Sequence, residues 1–250
     1  MEWNDTAIVL KTGRFREADM WLRLLSPKKG IITVFAFGAS RSKRRFLGCL
    51  DVLNIISCRV KSCRYGQYLA LEESSLQYGA HSLRHDMTRL GMLMNCIHFL
   101  EAFGVSQDGA VRGYALLQEM LMFFEKEHLS HNLYPMLFRL RMASEQGFAP
   151  HWRSCSVCAK PLVHGGSIFY MNEGITTCLD CKASLQSRAY SVELSSEALW
   201  LLHRVEESQA KDWDVLALSP KDRQLCFRAI DGFIQFHLGI AWEDGRFKRV

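Results

Sequence analysis

The stretch Ile31-Ile32-Thr33-Val34-Phe35-Ala36-Phe37-Gly38-Ala39-Ser40-Arg41-Ser42-Lys43-Arg44-Arg45-Phe46 decides how the chain begins. Up to Phe37 it is β-branched, aromatic or small, the composition of a strand on a half-buried pleated surface. Gly38 stops the strand. The loop that follows sets Arg41, Lys43, Arg44 and Arg45 among small residues, ahead of one aromatic, Phe46. Upstream, Thr6–Lys11 is a short β run ended by Thr12-Gly13. Ala18–Leu25 is a second, closed by the turn Ser26-Pro27-Lys28-Lys29-Gly30. Downstream, Phe46–Val60 reads as a long strand containing Val52, Ile55, Ile56 and Val60, and Gln67–Leu71 as a fifth. Five short strands with no helix-length segment between them predict a small closed barrel, because closure removes exposed edges. An oligonucleotide-binding (OB) barrel is the commonest five-stranded solution, and an SH3-like barrel is the open alternative. Aromatics on a barrel face can stack bases, with Phe35, Phe37 and Tyr68 as candidates. Periodicity is expected to place at least one of the two phenylalanines in the core.

The charge map supports a polyanion partner for this part. Residues 1–80 carry 13 Lys+Arg against 7 Asp+Glu, and residues 81–250 carry 18 against 19, so the net charge of +5 arises wholly in the first third. Small residues let the backbone approach phosphates while long cations neutralise them. The candidate phosphate contacts are Arg41, Lys43, Arg44 and Arg45 in the loop, Lys28 and Lys29 in the preceding turn, and Arg59 and Lys61 at the end of the long strand. An ordinary solvated basic surface is the plain alternative.

From Ser82 the texture changes to helix. Leu83, Met87, Leu90, Met94, Ile97 and Leu100 recur at steps of three and four, one face of an amphipathic helix. Gly113–Glu127 and His131–Gly147 are a second and a third. Ser195–Glu207 is a fourth, and a fifth begins at Ser219-Pro220-Lys221-Asp222, with an N-cap serine, a proline in first position and an acid three residues on. It ends near Gly239. The methionine-rich helices read as core, although methionine also makes adaptable grooves for partner peptides. The basic tail Gly245–Val250 is expected to be mobile. The fold class is therefore α+β, with a barrel domain at 1–80 and a helical domain at 81–250.

Within the helical part lies the most specific chemical pattern of the chain. Cys155-Ser156-Val157-Cys158 is followed, nineteen residues later, by Cys178-Leu179-Asp180-Cys181. Two Cys-x-x-Cys hooks can present four thiolates to one ion, the closed tetrahedral shell of structural zinc. Gly165, Gly166 and Gly174 around Ser167–Met171 suit a hairpin joining the hooks, which gives a zinc-ribbon-like insertion at about 151–185. Two disulfides, or four buried thiols, are the plainer readings. His151 and His164 lie near the hooks and are surplus to a filled shell. With four protein ligands the ion has no open position, so a folding role is expected for it. The remaining cysteines (Cys49, Cys58, Cys63, Cys96 and Cys226) are scattered and odd in number, which suits a reducing cytosol.

Other chemistry is not advertised. The sequence has no Gly-x-x-x-x-Gly-Lys-Ser/Thr, Gly-x-Gly-x-x-Gly, His-Glu-x-x-His or Gly-x-Ser-x-Gly motif. Carboxylates are spread without pairing, so the chain is not expected to be an enzyme. No run of 18 apolar residues occurs, and the acidic start Met1-Glu2-Trp3-Asn4-Asp5 is no signal peptide.

These residues resemble the bacterial recombination-mediator family RecO. The N-terminal likeness is Ala7–Lys11, then Arg16-Glu17-Ala18-Asp19, the Gly30 turn and Gly38-Ala39-Ser40-Arg41-Ser42. The second block runs from Leu140-Arg141 through Gly147-Phe148-Ala149-Pro150 into the first hook, so the resemblance covers nearly the whole chain. Two departures stand out. Ala159 follows the first hook where the family usually has Gly, and Ser144-Glu145-Gln146 are polar where it is mostly aliphatic. The resemblance implies a non-catalytic helper of DNA repair in the cytoplasm, at the nucleoid. It would bind single- and double-stranded DNA, anneal complementary strands, work with RecR, and assist RecA loading on strands coated by single-stranded DNA-binding protein. The helical region would receive that coating protein's acidic, apolar C-terminal tail, with Arg139 and Arg141 as candidate contacts. A zinc-stapled protein-interaction scaffold and an RNA-binding zinc-ribbon protein are the rival readings of the residues themselves.

Overall fold

The computed structural model describes every residue except 43, 127–130, 163–164 and 185–189. It divides into two compact units, Met1–Leu90 with Gly104–His128, and Gly91–Phe103 with Leu129–Val250.

The first unit is built on a closed barrel of β1 (Glu2–Arg14), β2 (Met20–Ser26), β3 (Gly30–Ala36), β4 (Ile55–Cys63) and β5 (Tyr68–Tyr78). Its strand order is β1-β2-β3-β5-β4, with β4 returning to β1 and only β3 and β5 parallel. This is the OB-like arrangement. Ala7, Val9, Leu22, Leu24, Val34, Ala36, Ile56, Cys58, Val60 and Leu71 fill the interior. Helix α2 (Ala110–Lys126) packs on β1, β2 and β3 through a face that buries Leu116, Leu117, Met120, Leu121 and Phe124. Its expected end, Glu127, lies outside the described residues.

Two expectations for the barrel are corrected. Phe46–Val60 is not one strand, because β4 begins only at Ile55. The apolar residues before it fold back as a plug, with Phe46, Cys49 and Leu50 buried against the barrel core. Leu53 takes a positive φ of 72° so that its amide and the Asn54 carbonyl both pair with Val9, each at 2.9 Å. The second correction concerns Phe35 and Phe37. Residues two apart share a face of a strand, and Val34 and Ala36 hold the inward positions. Phe35 is half-buried and Phe37 is 38% exposed, so both rings point outward.

The second unit contains most of α1 (Met87–Phe103), together with α3 (Leu133–Glu145), α4 (Ser196–Glu207) and α5 (Pro220–Leu238). α3 buries residues on every side and packs on α4 and α5. The starts of α4 and α5 are tied together. Ser195 accepts from the Ala198 amide and Ser219 from the Asp222 amide, both at 3.1 Å. Both hydroxyls then donate to the Asp222 carboxylate, at 2.7 and 2.5 Å, and hold its pKa below the usual range. Gly239, at φ 60°, ends α5. A three-stranded sheet of β6 (Ser167–Tyr170), β7 (Ile175–Cys178) and β8 (Ser191–Leu194), in the order β7-β6-β8, joins α5 through β8. The C-terminal residues expected to be a mobile tail instead form a hairpin, β9 (Ile240–Glu243) and β10 (Arg246–Arg249). Phe247 anchors it, 5.5 Å from Phe99 and 4.6 Å from Trp242.

Gly30 shows why the β2–β3 turn needs its residue. Its φ is +71°, and a Cβ there would lie 2.1 Å from the Val105 carbonyl oxygen, which accepts from the Ile31 amide at 3.2 Å. Left-handed backbone costs a side chain about 1–2 kcal/mol, and the overlap adds to that. Gly30→Ala is expected to destabilise the chain by at least about 2 kcal/mol. Urea denaturation followed by circular dichroism checks this.

Candidate nucleic-acid interface and four-cysteine centre

The cationic loop is tied to the barrel at several points. The Gly38 amide donates to the Asp19 carboxylate at 2.8 Å, and the Ser40 amide to the Ala18 carbonyl at 3.0 Å. Ala39–Arg41 then makes one 3₁₀ turn. Arg45 donates through Nη2 to the Phe37 carbonyl at 2.7 Å, lies 4.9 Å over the Phe46 ring, and accepts the Ser74 amide at 2.8 Å. Arg41 reaches Glu17 at 3.4 Å with both side chains in solvent. Arg44 is exposed, and among the described residues it has no ion-pair partner. Lys43 lies outside the described residues.

The remaining candidates fall into two groups. Arg59 joins Arg44 and Arg45 in a groove of about 540 Å³ lined also by Asn4, Ser57, Glu73, Ser74 and Ser75. Its charge is largely answered there, because Glu73 at 3.1 Å and Glu2 at 2.9 Å flank it and raise its pKa. Neither acid was visible as a partner in the sequence, since cross-strand register brings them in: Glu73 opposite Arg59 on β5, and Glu2 on β1 opposite neighbouring Lys61. Lys61 itself is exposed. Lys28 and Lys29 line a separate groove of about 580 Å³ with Trp3, Pro27, Gln107 and Val111. Lys28 donates to the Asn4 carbonyl at 2.7 Å, and Lys29 lies 5.9 Å over Trp3.

The four hook cysteines meet. Their Sγ atoms all lie within 4.8 Å of one another, and among the described residues this is the one such group that could hold a metal ion. β6 and β7 bring this about: Cys178 closes β7 opposite Ser167, and the Ser156 amide donates to the Thr176 carbonyl at 2.9 Å, drawing the first hook beside the second. Cys155 is buried and Cys158 exposed. Burial opposes ionisation of Cys155, but amides of Cys158, Cys178 and Val157 donate to its sulfur and win, lowering its pKa to about 6. Cys181, hydrogen-bonded to Cys178 and crowded by the other sulfurs, is pushed up to about 12. Only a bound cation lets four such sulfurs ionise together, and the donor set fits a soft or borderline divalent ion. His151 instead meets the Ser154 hydroxyl at 2.9 Å, and His164 lies outside the described residues. Burial pushes the thiols of Cys58, Cys96 and Cys226 up to about 12, in keeping with their packing role.

Arg139 and Arg141 are not placed as the sequence led us to expect. Arg139 is 6% exposed. It donates to Asn95 at 2.6 Å and to the Met136 sulfur at 2.9 Å, and Phe247 covers it at 4.5 Å. Desolvation lowers its pKa to about 10. Arg141 pairs with Glu145 at 2.8 Å and donates to the Val205 carbonyl at 2.7 Å, so it holds the last turn of α4. Both are framework cations. α3 is buried on more than one face, so residues two apart are both drawn inward.

An OB-like barrel with a cationic loop, in one chain with helices that carry a four-cysteine centre, defines the class. Residues 1–76 match the family model described as recombination protein O N terminal, and residues 84–244 the one described as recombination protein O C terminal. The chain is 43% identical over 254 residues to the DNA repair protein RecO of Nitratidesulfovibrio vulgaris, covering 100% of both chains. It is 42% identical to that of Lawsonia intracellularis and 41% identical to that of Oleidesulfovibrio alaskensis, again covering 100% of both chains. The chain belongs to the RecO family.

The first hook keeps its turn despite Ala159. That residue sits at φ 59°, with its amide donating to the Cys155 carbonyl at 2.9 Å. Ala159→Gly removes a left-handed alanine and is expected to stabilise the chain by about 1 kcal/mol. Thermal unfolding with metal content measured in parallel checks this; equal or lower stability would contradict it.

Proposed function

We propose that this RecO-family chain is a non-catalytic recombination mediator that works at the nucleoid, binding single- and double-stranded DNA through the barrel formed by residues 1–80. The observation that carries this reading is the loop 38–46, fixed to the barrel by backbone bonds while Arg41 and Arg44 stay in solvent. Such cations displace counterions from phosphates and bind without regard to sequence. On two strands at once they lower mutual repulsion, which favours annealing. Family membership supports the remaining partners: RecR, RecA loading on coated strands, and the acidic tail of single-stranded DNA-binding protein. For that tail Arg139 is too deeply enclosed. Arg204, 4.9 Å over the exposed ring of Trp200, is the candidate we offer in its place. Among the described residues no helix is long and apolar enough to cross a membrane.

Zinc is the ion we assign to Cys155, Cys158, Cys178 and Cys181. A bound zinc would supply no chemistry beyond holding both hooks against β6 and β7. Elemental analysis is expected to find about one zinc per chain. Cys158→Ser with Cys181→Ser should lose the metal and a large share of stability while residues 1–80 retain DNA affinity.

Replacing Arg41, Lys43, Arg44 and Arg45 with Ala should weaken single-stranded DNA binding. It should also flatten the plot of log affinity against log salt by up to about 3 units. An unchanged slope would remove the loop from the interface. In strand annealing, the same variant should slow pairing of both bare and coated strands.

A further inference from the structure

We propose that Phe15, Phe35, Phe37 and Tyr68 form a stacking platform on the outer face of the barrel that receives unpaired bases of single-stranded DNA. This rests on the DNA-binding reading above and adds to it a contact that phosphate neutralisation does not provide.

The four rings form one connected cluster. Phe15 lies 5.4 Å from Phe35, Phe35 lies 6.4 Å from Phe37 and 6.2 Å from Tyr68, and Phe37 lies 6.0 Å from Tyr68. None is in the barrel core: Phe15 is 46% and Phe37 38% exposed, and Phe35 and Tyr68 are half-buried. They converge from three separate segments: the β1–β2 connection, the end of β3 and the start of β5. In OB barrels that bind oligonucleotides, the loops joining strands 1–2 and 4–5 flank the ligand. Here the first of these loops supplies Phe15, and the second holds Tyr65, fully exposed at φ 55°, three residues before Tyr68. Trp21, by contrast, lies over Gly13, where a Cβ would come 2.7 Å from the indole, so that ring already has a cover to provide.

The surroundings select the occupant. Arg16 lies 4.9 Å over Phe15, and Arg45 is bonded to the Phe37 carbonyl, so cations border the rings. Rings edged by arginines suit a chain that alternates flat bases with phosphates. A duplex keeps its bases stacked on one another and cannot offer them. An apolar protein partner would use the rings but has no need of the cations.

The test compares three ligands on the full chain: an oligodeoxythymidine strand, an abasic phosphodeoxyribose strand of the same length, and a duplex. Wild type is expected to bind the thymidine strand about tenfold more tightly than the abasic one. Phe15→Ala with Phe37→Ala should abolish that difference, change abasic and duplex affinity less than about twofold, and leave the melting temperature within a few degrees, since neither ring fills the core. Phe37→Tyr should keep the preference. Equal affinity of wild type for thymidine and abasic strands overturns the proposal, as does an equal loss on all three ligands. A changed sedimentation coefficient of the double variant with unchanged DNA affinity overturns it in favour of a protein interface. Absence of salt-dependent binding of wild type to any ligand overturns the underlying reading as well.

Discussion

Closure of the barrel rests on β1, which pairs with β4 from Glu2 to Ile8 and with β2 from Ile8 to Arg14. One strand can serve two neighbours in succession only if it bends, and the register shift between Val9 and Lys11 provides the bend. Around it, Ile8, Val9 and Leu10 are all buried, although they alternate in direction. The inner side meets the barrel core and α2 packs against the strand. Each fully buried side chain of this size contributes about 1.5–3 kcal/mol, so the bend is held by packing on both faces. A slip of one residue would exchange the two faces of β1. It would also move Asp5, whose buried carboxylate accepts from the Ser26 hydroxyl and the Thr6 amide. The Gly30 turn, the loop at 38–46 and the outer aromatic face all take their positions from this register.

The electrostatics then separate cations that hold the structure from those that face outward. Arg59, Arg139 and Arg141 are each engaged by carboxylates, carbonyls or a ring. Arg41, Arg44 and Lys61 stand in solvent, and surface pairs such as Arg41–Glu17 contribute at most about 1 kcal/mol, so they yield readily to a phosphate. The hooks lie elsewhere, in a segment carrying only Lys160 against Glu173 and Asp180 among residues 155–181, Lys182 lying just beyond. Their four sulfurs meet beside β7, where they could hold a metal ion.

Much of this was legible in the residues. Strand composition and turn glycines marked the barrel, steps of three and four marked the helices, and hook spacing marked the cysteine centre. The face expected for α1 is only partly the buried one: Met87 is exposed, Leu83 precedes the helix, and Met92, Leu93, Cys96 and Phe99 are buried beside Ile97 and Leu100. The failures have particular causes. Phe46–Leu53 is as apolar as a strand because it plugs one, and composition does not distinguish the two. Phe35 and Phe37 are hydrophobic yet face outward, which alternation with Val34 and Ala36 could have shown. Arg139 and Arg141 carry the right charge, but their burial depends on α4, Asn95 and Phe247, all distant in sequence. Phe247, which covers Arg139, also packs the C-terminal hairpin on Phe99. That α2 groups with the barrel could not be read from an amphipathic face alone, since such a face does not name its partner.

The proposed DNA interface is the barrel and not the cysteine centre. Hydrogen–deuterium exchange of the full chain, with and without a saturating single strand, tests this most directly. If DNA lies on the barrel, exchange slows in β3, in residues 38–54 and around the β4–β5 turn, with β6, β7 and the hooks unchanged. Protection centred on residues 151–182, with the barrel unaffected, would contradict it.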